Sequence, residues 1–410
     1  MEPPTRGPGP LEGVRVLDLS RVLSGPHCGR MLVDLGADVI KVEPPQGDLT
    51  RFSYPRVNSI ATYFAQQNCG KRNVSLDLRQ PRAGDLVRAM AARSDVVLEN
   101  FRPGVMERMG LGYERLAADH PRLVYASLTG YGQTGPWKDR RAYAPVVGAE
   151  SGLTWAQGVA RGGDFANDVI SHGDVYAALE CLSAILAALY QRERTGRGQH
   201  IDVSMTETLL AINEHVHWEL SGLPDEGAIP SFRPGDYPVL SLADGRTVVV
   251  SGHPADRGTF ERYIAALRCP ALADDPRFVD LRARRQHYGE LLAALQEAAN
   301  GFATAGELED ALAEQELAMG VLRTVQEVAD SDWARARGAI VEVPDRGGGT
   351  IRIPNAPWHF GAADAGVRGQ PAYRGEHNRE VLAELCGLSD AELDRLEASG
   401  VLSSRLPADA

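Results

Sequence analysis

Asp174 is the residue in this sequence whose type and setting most suggest chemistry. It stands at the start of a helical pattern, His172-Gly173-Asp174 followed by Val175-Tyr176-Ala177-Ala178-Leu179. A carboxylate in that position serves, by position alone, as an N-cap that accepts backbone N–H groups. Two neighbours point further. Gly173 lets another backbone or a ligand come close, and the apolar turn that follows sets the carboxylate against a dry cleft. Other patterns carry less. Gly130-Tyr131-Gly132-Gln133-Thr134-Gly135 fits G-x-G-x-x-G, but Pro136-Trp137-Lys138-Asp139 follows where a dinucleotide site needs a helix opening on the pyrophosphate. It reads as a loop. His215-x-His217 puts two imidazoles on different faces of a helix with no third ligand set by sequence, so no metal is expected. Neither G-x-S-x-G nor H-E-x-x-H occurs, which removes the commonest hydrolase and metalloprotease signatures.

Strands and helices alternate around these residues. Val14 to Leu19 is a short apolar run, Gly25-Pro26 opens a helix from His27 to Leu35, and Ala37 to Val42 is a second apolar run. Proline in the first turn and Gly36 after the last fit those boundaries. The alternation continues through Val74 to Leu78, a helix from Ala83 to Ala92, Asp95 to Glu99 and Leu123 to Thr129, predicting an open, mostly parallel, Rossmann-like α/β sheet. Val175 to Arg194 suits a long buried helix ended by Gly196, His200 to Val203 reads as one more strand, and Thr206 to Leu220 as a second long helix. A proline- and glycine-rich loop, Ser221 to Pro238, then marks a boundary. Beyond it Asp244-Gly245 signals a hairpin between Val239 to Leu242 and Thr247 to Ser251, opening a smaller α+β unit. Ile340 to Val343 and Ile351 to Ile353 return as a strand pair, and Ser389-x-x-Glu392 is a capping box for a last helix. The expected domains are 1–221 and 326–410 together as the large α/β domain, with a small α+β domain at 222–325.

The bulk composition narrows the function. At 410 residues and 43% hydrophobic the chain builds large cores without staples. The formal charge of -12 speaks against nucleic-acid or acidic-membrane partners, which need a basic surface. With no run of eighteen apolar residues and a proline- and glycine-rich start, neither a membrane span nor a signal peptide is expected. Five scattered cysteines without a C-x-x-C pair suit a reducing cytoplasm. The three lysines, Lys41, Lys71 and Lys138, fall in roughly the first third of the chain, among 43 basic residues in all.

Gly173-Asp174, the run Arg192-Glu193-Arg194-Thr195-Gly196-Arg197-Gly198-Gln199 and Asp202-Val203-Ser204-Met205 together resemble the signature of class III CoA-transferases. The resemblance runs nearly end to end, through Leu17-Asp18-Leu19-Ser20 with Gly25-Pro26, Gly36 to Glu43, Asn68-Cys69-Gly70-Lys71-Arg72, Glu99 to Gly104, and Gly375-Glu376-His377-Asn378. It implies that Asp174 is the nucleophile, that coenzyme A is a co-substrate beside a carboxylic acid, and that two chains form an interlocked homodimer. A carboxylate of ordinary pKa ~3.9 is ionised at neutral pH and attacks a thioester carbonyl without a general base. Positions matching the family's CoA-contacting segments are Leu23, Ser24, Leu76, Arg79, Asn100, Phe101, Arg102, Arg108, Arg141, Ala142 and Tyr143. Arg102, Arg108 and Arg141 are the expected phosphate partners.

Two departures bear on the reaction. The related racemases carry a histidine after the glycine loop, where this chain has Arg141-Ala142-Tyr143-Ala144, which disfavours the alternative of an α-methylacyl-CoA racemase. Formyl-CoA transferases carry a glutamate after the tyrosine and a glycine run in the small domain. This chain has Ala144, and its glycine triplet, Gly347 to Gly349, lies beyond that domain, which speaks against formate or oxalate. A third alternative is a CoA-thioester-binding protein without turnover.

Overall fold

The computed structural model describes residues 6–222 and 234–406. Most of the expected boundary loop, 221–238, lies outside the described residues. The chain divides into two compact units, one made of residues up to Glu214 and from Ala334 on, the other of His215–Trp333.

The first unit is built on six parallel strands: β1 (Arg15–Asp18), β2 (Asp38–Glu43), β3 (Arg72–Ser75), β4 (Val96–Glu99), β5 (Val124–Thr129) and β6 (His200–Ser204). Their spatial order is β3-β2-β1-β4-β5-β6, so the chain winds outward one way from β1 and then restarts the other way at β4. Helices cover both faces, which is why β4 and β5 read as largely apolar runs, whereas β3, Arg72-Asn73-Val74-Ser75, is not one and lies two residues before the expected start at Val74. Alternate residues divide between two cores. Val16, Val96, Leu98, Val124 and Ala126 pack with α1 (Ser24–Asp34) and with the long helix that follows the glycine loop. Leu17, Val97 and Tyr125 face α2 (Pro81–Ala91) and the C-terminal helix Asn378–Cys386. In such open sheets the crevice beyond the strand ends, where the order reverses, is the favoured ligand site. Here that point lies between the ends of β1 and β4.

Local chemistry shifts several boundaries from their expected places. The first helix starts at Ser24 rather than His27, because Pro26 is tolerated within a first turn whose N–H groups have no helical partner. The glycine loop runs without a crossover helix to α3 (Ala144–Glu150), as the proline after it predicts. The long helix, α4 (His172–Thr195), begins before Val175 and ends at Gly196, whose φ of 73° is left-handed. By length and composition α4 could cross a membrane, yet Ala177, Ala178, Cys181, Ile185 and Ala188 lie in the first core. The expected helix from Thr206 to Leu220 is two, α5 (Met205–Ala211) and Val216–Leu220. The residues between include Asn213, a poor helix former, and the chain passes there from one unit to the other.

The strand pair Ile340–Pro344 and Thr350–Pro354 forms an antiparallel hairpin, and Ser389 and Glu392 close the expected capping box. In the second unit Val239–Ser241, Thr247–Val250 and Met319–Val321 form a three-stranded antiparallel sheet. Gly245 turns the hairpin with φ 81°, and the core gathers around Phe260, Tyr263, Leu291 and Leu308.

Candidate active site

The site is built first on a loop held at almost every backbone group. After β1 the chain runs through Ser20, Arg21 and Val22 into α1. Asp18 accepts the Ser20 N–H at 2.9 Å and the Ser20 hydroxyl, while the Lys41 ammonium donates to the Ser20 carbonyl at 2.9 Å. Asn100, just past β4, accepts the Arg21 N–H and donates to the Arg21 carbonyl, both at 2.8 Å. Asp48 accepts the Val22 N–H at 3.1 Å. These bonds hold Val22 at φ 68°, a left-handed conformation that a β-branched residue takes only under compulsion, at a cost of about 1–3 kcal/mol.

Beneath the loop lies a buried charge network. Lys71 on the approach to β3 donates to Asp18 at 2.8 Å, the Pro26 carbonyl at 2.8 Å and Asn68 at 3.1 Å, and Lys41 pairs with Asp48 at 3.1 Å. Burial pulls the Lys71 ammonium down to about 8 against the attraction of Asp18, so it stays protonated at neutral pH. Burial opposes ionisation of Asp48 as well, but Lys41 and the Thr50 N–H and hydroxyl hold its carboxyl down at about 2.

Asp174 sits one turn into α4, as its third residue, with Ser171 at the cap. It does not close its own helix. Burial pushes its carboxyl up to about 6, and the hydroxyl and backbone N–H of Ser24, at the head of α1, temper the rise by hydrogen bonding to it. Asn100 donates at 3.1 Å to the same Ser24 hydroxyl, so one amide ties the head of α1 to the Arg21 turn. Gly173 is required for packing rather than for ligand approach, because a Cβ there would meet Val147 at 2.7 Å and Met205 at 3.3 Å. Nearby, burial together with the charges of Asp174 and Asp48 pushes the Tyr63 hydroxyl up to about 12, leaving it a proton donor.

Asp174 opens on a cavity of about 450 Å³ at the strand-order reversal. Arg21, Arg102, Lys138, Arg140 and Arg141 line it, and Asp174 is the one carboxylate among its lining residues. Arg140 is paired with Glu150 and stands over Tyr131 and Trp137. Such a mouth favours a ligand carrying several negative charges.

The model of CoA-transferase family III matches residues 11–378. The chain belongs to that family. Among related family III proteins, the succinyl-CoA–D-citramalate CoA-transferase of Chloroflexus aurantiacus is 35% identical over 97% of this chain and 99% of its own length. The succinate–glutarate CoA-transferase of Agrobacterium fabrum is 34% identical over 93% and 97%. The solved structure of a CAIB/BAIF family protein from Brucella suis superposes with a TM-score of 0.77 at 32% identity, covering 92% of this chain and all of that one.

Of the residues expected for a family III CoA-transferase, Ser24, Asn100, Phe101, Arg102, Arg141, Ala142, Tyr143 and Asp174 line this one cavity. Four do not. Leu76 is fully buried in the second core, and Leu23 is buried at the head of α1. Arg79 lies exposed in a pair with its neighbour Asp77, and Arg108 projects from the short helix Val105–Arg108 outside the lining. The sequence reading missed Arg21, Val22, Leu49, Thr129 and Met205 in the lining. The rule that ligands bind where strand order reverses points to the turns after β1 and β4, but only once that order is known.

Proposed function

We propose that this CoA-transferase moves CoA from an acyl-CoA to a free carboxylic acid through covalent intermediates on Asp174. The observation that carries the reading is the placement of the Asp174 carboxylate, facing a basic cavity beside Ser24. An Asp174 oxygen attacks the thioester carbonyl, the C–S bond breaks, and CoA leaves as a thiolate from an aspartyl acyl anhydride. The thiolate then attacks the aspartyl carbonyl carbon, releasing the first acid as its carboxylate and leaving an aspartyl-CoA thioester. An incoming carboxylate attacks that thioester and displaces the thiolate, which attacks the new acyl carbonyl to give the new acyl-CoA and free Asp174. No proton is gained or lost overall, so the site needs a carboxylate, exclusion of water and compensation for the CoA phosphates. Arg102, Lys138 and Arg141, which form no ion pair among the described residues, supply that compensation.

The elevated carboxyl gives a test in pH. Only ionised Asp174 attacks, so exchange is expected to rise with pH along a limb centred near 6 and to fall about tenfold per unit well below it. Initial rates between pH 4.5 and 8 in constant ionic strength locate the limb. A limb near 4 would remove burial as the source of the carboxylate's basicity.

We read the assembly as an interlocked homodimer, which would cover the exposed apolar side chains of Trp155, Val159, Phe165, Val169 and Ile170. Light scattering is expected to return the mass of two chains, and a monomer at micromolar concentration rejects it.

A further inference from the structure

One cation in the cavity differs from the others. Arg102, Lys138, Arg140 and Arg141 are exposed, and Arg140 already has its carboxylate in Glu150. Arg21 is half-buried, and its side chain makes no hydrogen bond or ion pair among the described residues. Its Nε is buried with no acceptor among the described residues, whereas most buried polar groups in folded proteins have one. Its backbone, by contrast, is fixed by Asn100 at both N–H and carbonyl. The same Asn100 amide nitrogen reaches the Ser24 hydroxyl, and Ser24 lines the cavity together with Asp174. Nucleophile and guanidinium therefore face one cavity from a single braced frame.

Resting on the proposed CoA transfer, we propose that Arg21 determines specificity by binding the distal carboxylate of a dicarboxylic substrate whose other carboxyl group reacts at Asp174. A guanidinium presents a planar fork that matches a carboxylate with two parallel hydrogen bonds, and the burial of Arg21 makes each stronger than at the exposed mouth. A monocarboxylic acid of the same length leaves that fork empty.

The test compares wild type, Arg21→Met and Arg21→Lys with succinate and glutarate against butyrate and pentanoate as acceptors, using succinyl-CoA and butyryl-CoA as donors. In wild type, kcat/KM for the dicarboxylates is expected to exceed that for the monocarboxylates. Arg21→Met is expected to lose about 10- to 150-fold on the dicarboxylates, the worth of a charged hydrogen-bonded contact, and less than about threefold on the monocarboxylates. Arg21→Lys should recover part of the difference. Equal losses on both acid classes, or a matching weakening of inhibition by free CoA, would make Arg21 a structural or CoA contact and overturn the proposal. A wild type that prefers butyrate overturns it too. Absence of exchange with every acid is a failure of the transfer reading instead. The inference on Arg21 is then decided by calorimetry in the Asp174→Ala chain, where succinate but not butyrate must bind more weakly once Arg21→Met is added.

Discussion

Asp174→Asn is expected to abolish CoA exchange while making the protein more stable at neutral pH. The amide is nearly isosteric, but it cannot attack a thioester. Loss of an essential nucleophile costs at least about 10⁴-fold, and exchange in the variant should fall to the detection limit. The gain in stability follows from the same burial that tunes the carboxylate. The folded state holds Asp174 at about 6, above the ordinary 3.8 of the unfolded chain. Below pH ~4 both states are protonated and nothing is lost. As pH rises to about 6 the unfolded chain ionises first, so stability drains away by about 1–3 kcal/mol and then levels off. Asparagine has no such charge, so its advantage should be present at pH 7.5 and vanish by pH ~4. Thermal-shift curves of both proteins across that range read it directly. Equal melting temperatures at pH 7.5, or an advantage that persists into acid, would remove desolvation of Asp174 as a real cost.

Lys71→Met is expected to be among the most damaging single substitutions away from the cavity. It leaves the Asp18 carboxylate fully buried with its closest counter-ion gone, and breaking one side of a buried pair costs about 3–5 kcal/mol. The damage should reach the site, because Asp18 also holds the Ser20 N–H and hydroxyl. Urea unfolding measures the loss, and Lys71→Met combined with Asp18→Asn should recover part of it by deleting the stranded charge. A single variant within 1 kcal/mol of wild type contradicts this account of the network.

That network also explains a pattern visible in the sequence without its reason. Two of the three lysines in an arginine-rich chain, Lys41 and Lys71, lie buried beneath the loop after β1. Lys71 must reach three acceptors around one atom, against a helix so close that a Cβ on Gly29 would stand 2.9 Å from its nitrogen. A compact ammonium fits there, whereas a planar guanidinium does not.

β4 and β5 were legible because a sheet covered on both faces favours apolar runs, and α4 because its glycine stop and apolar length are both local signals, whereas β3, with Val74 its one apolar residue, was expected two residues too late. Helix starts were less so. Whether a first turn begins at Ser24 or His27 depends on partners for its N–H groups, which lie elsewhere in the chain. At the site, Asp174 and the Asn100–Arg102 turn were readable from motif resemblance, which also carried Leu76 and Arg79 to places the fold does not bring to the cavity. Arg21 and Val22 gave no sign of their own. They stand out through a left-handed backbone angle at Val22, held by Asp48 from a distant segment, and an unanswered nitrogen on Arg21, whose backbone Asn100 fixes.

The clamped turn after β1 also shapes how this protein can diverge. Asp18, Lys41, Asp48 and Asn100 come from four separate stretches, yet they answer to one short piece of backbone. Removing one of them is expected to loosen a turn that the other three still contact, so substitutions among the four are expected to be non-additive.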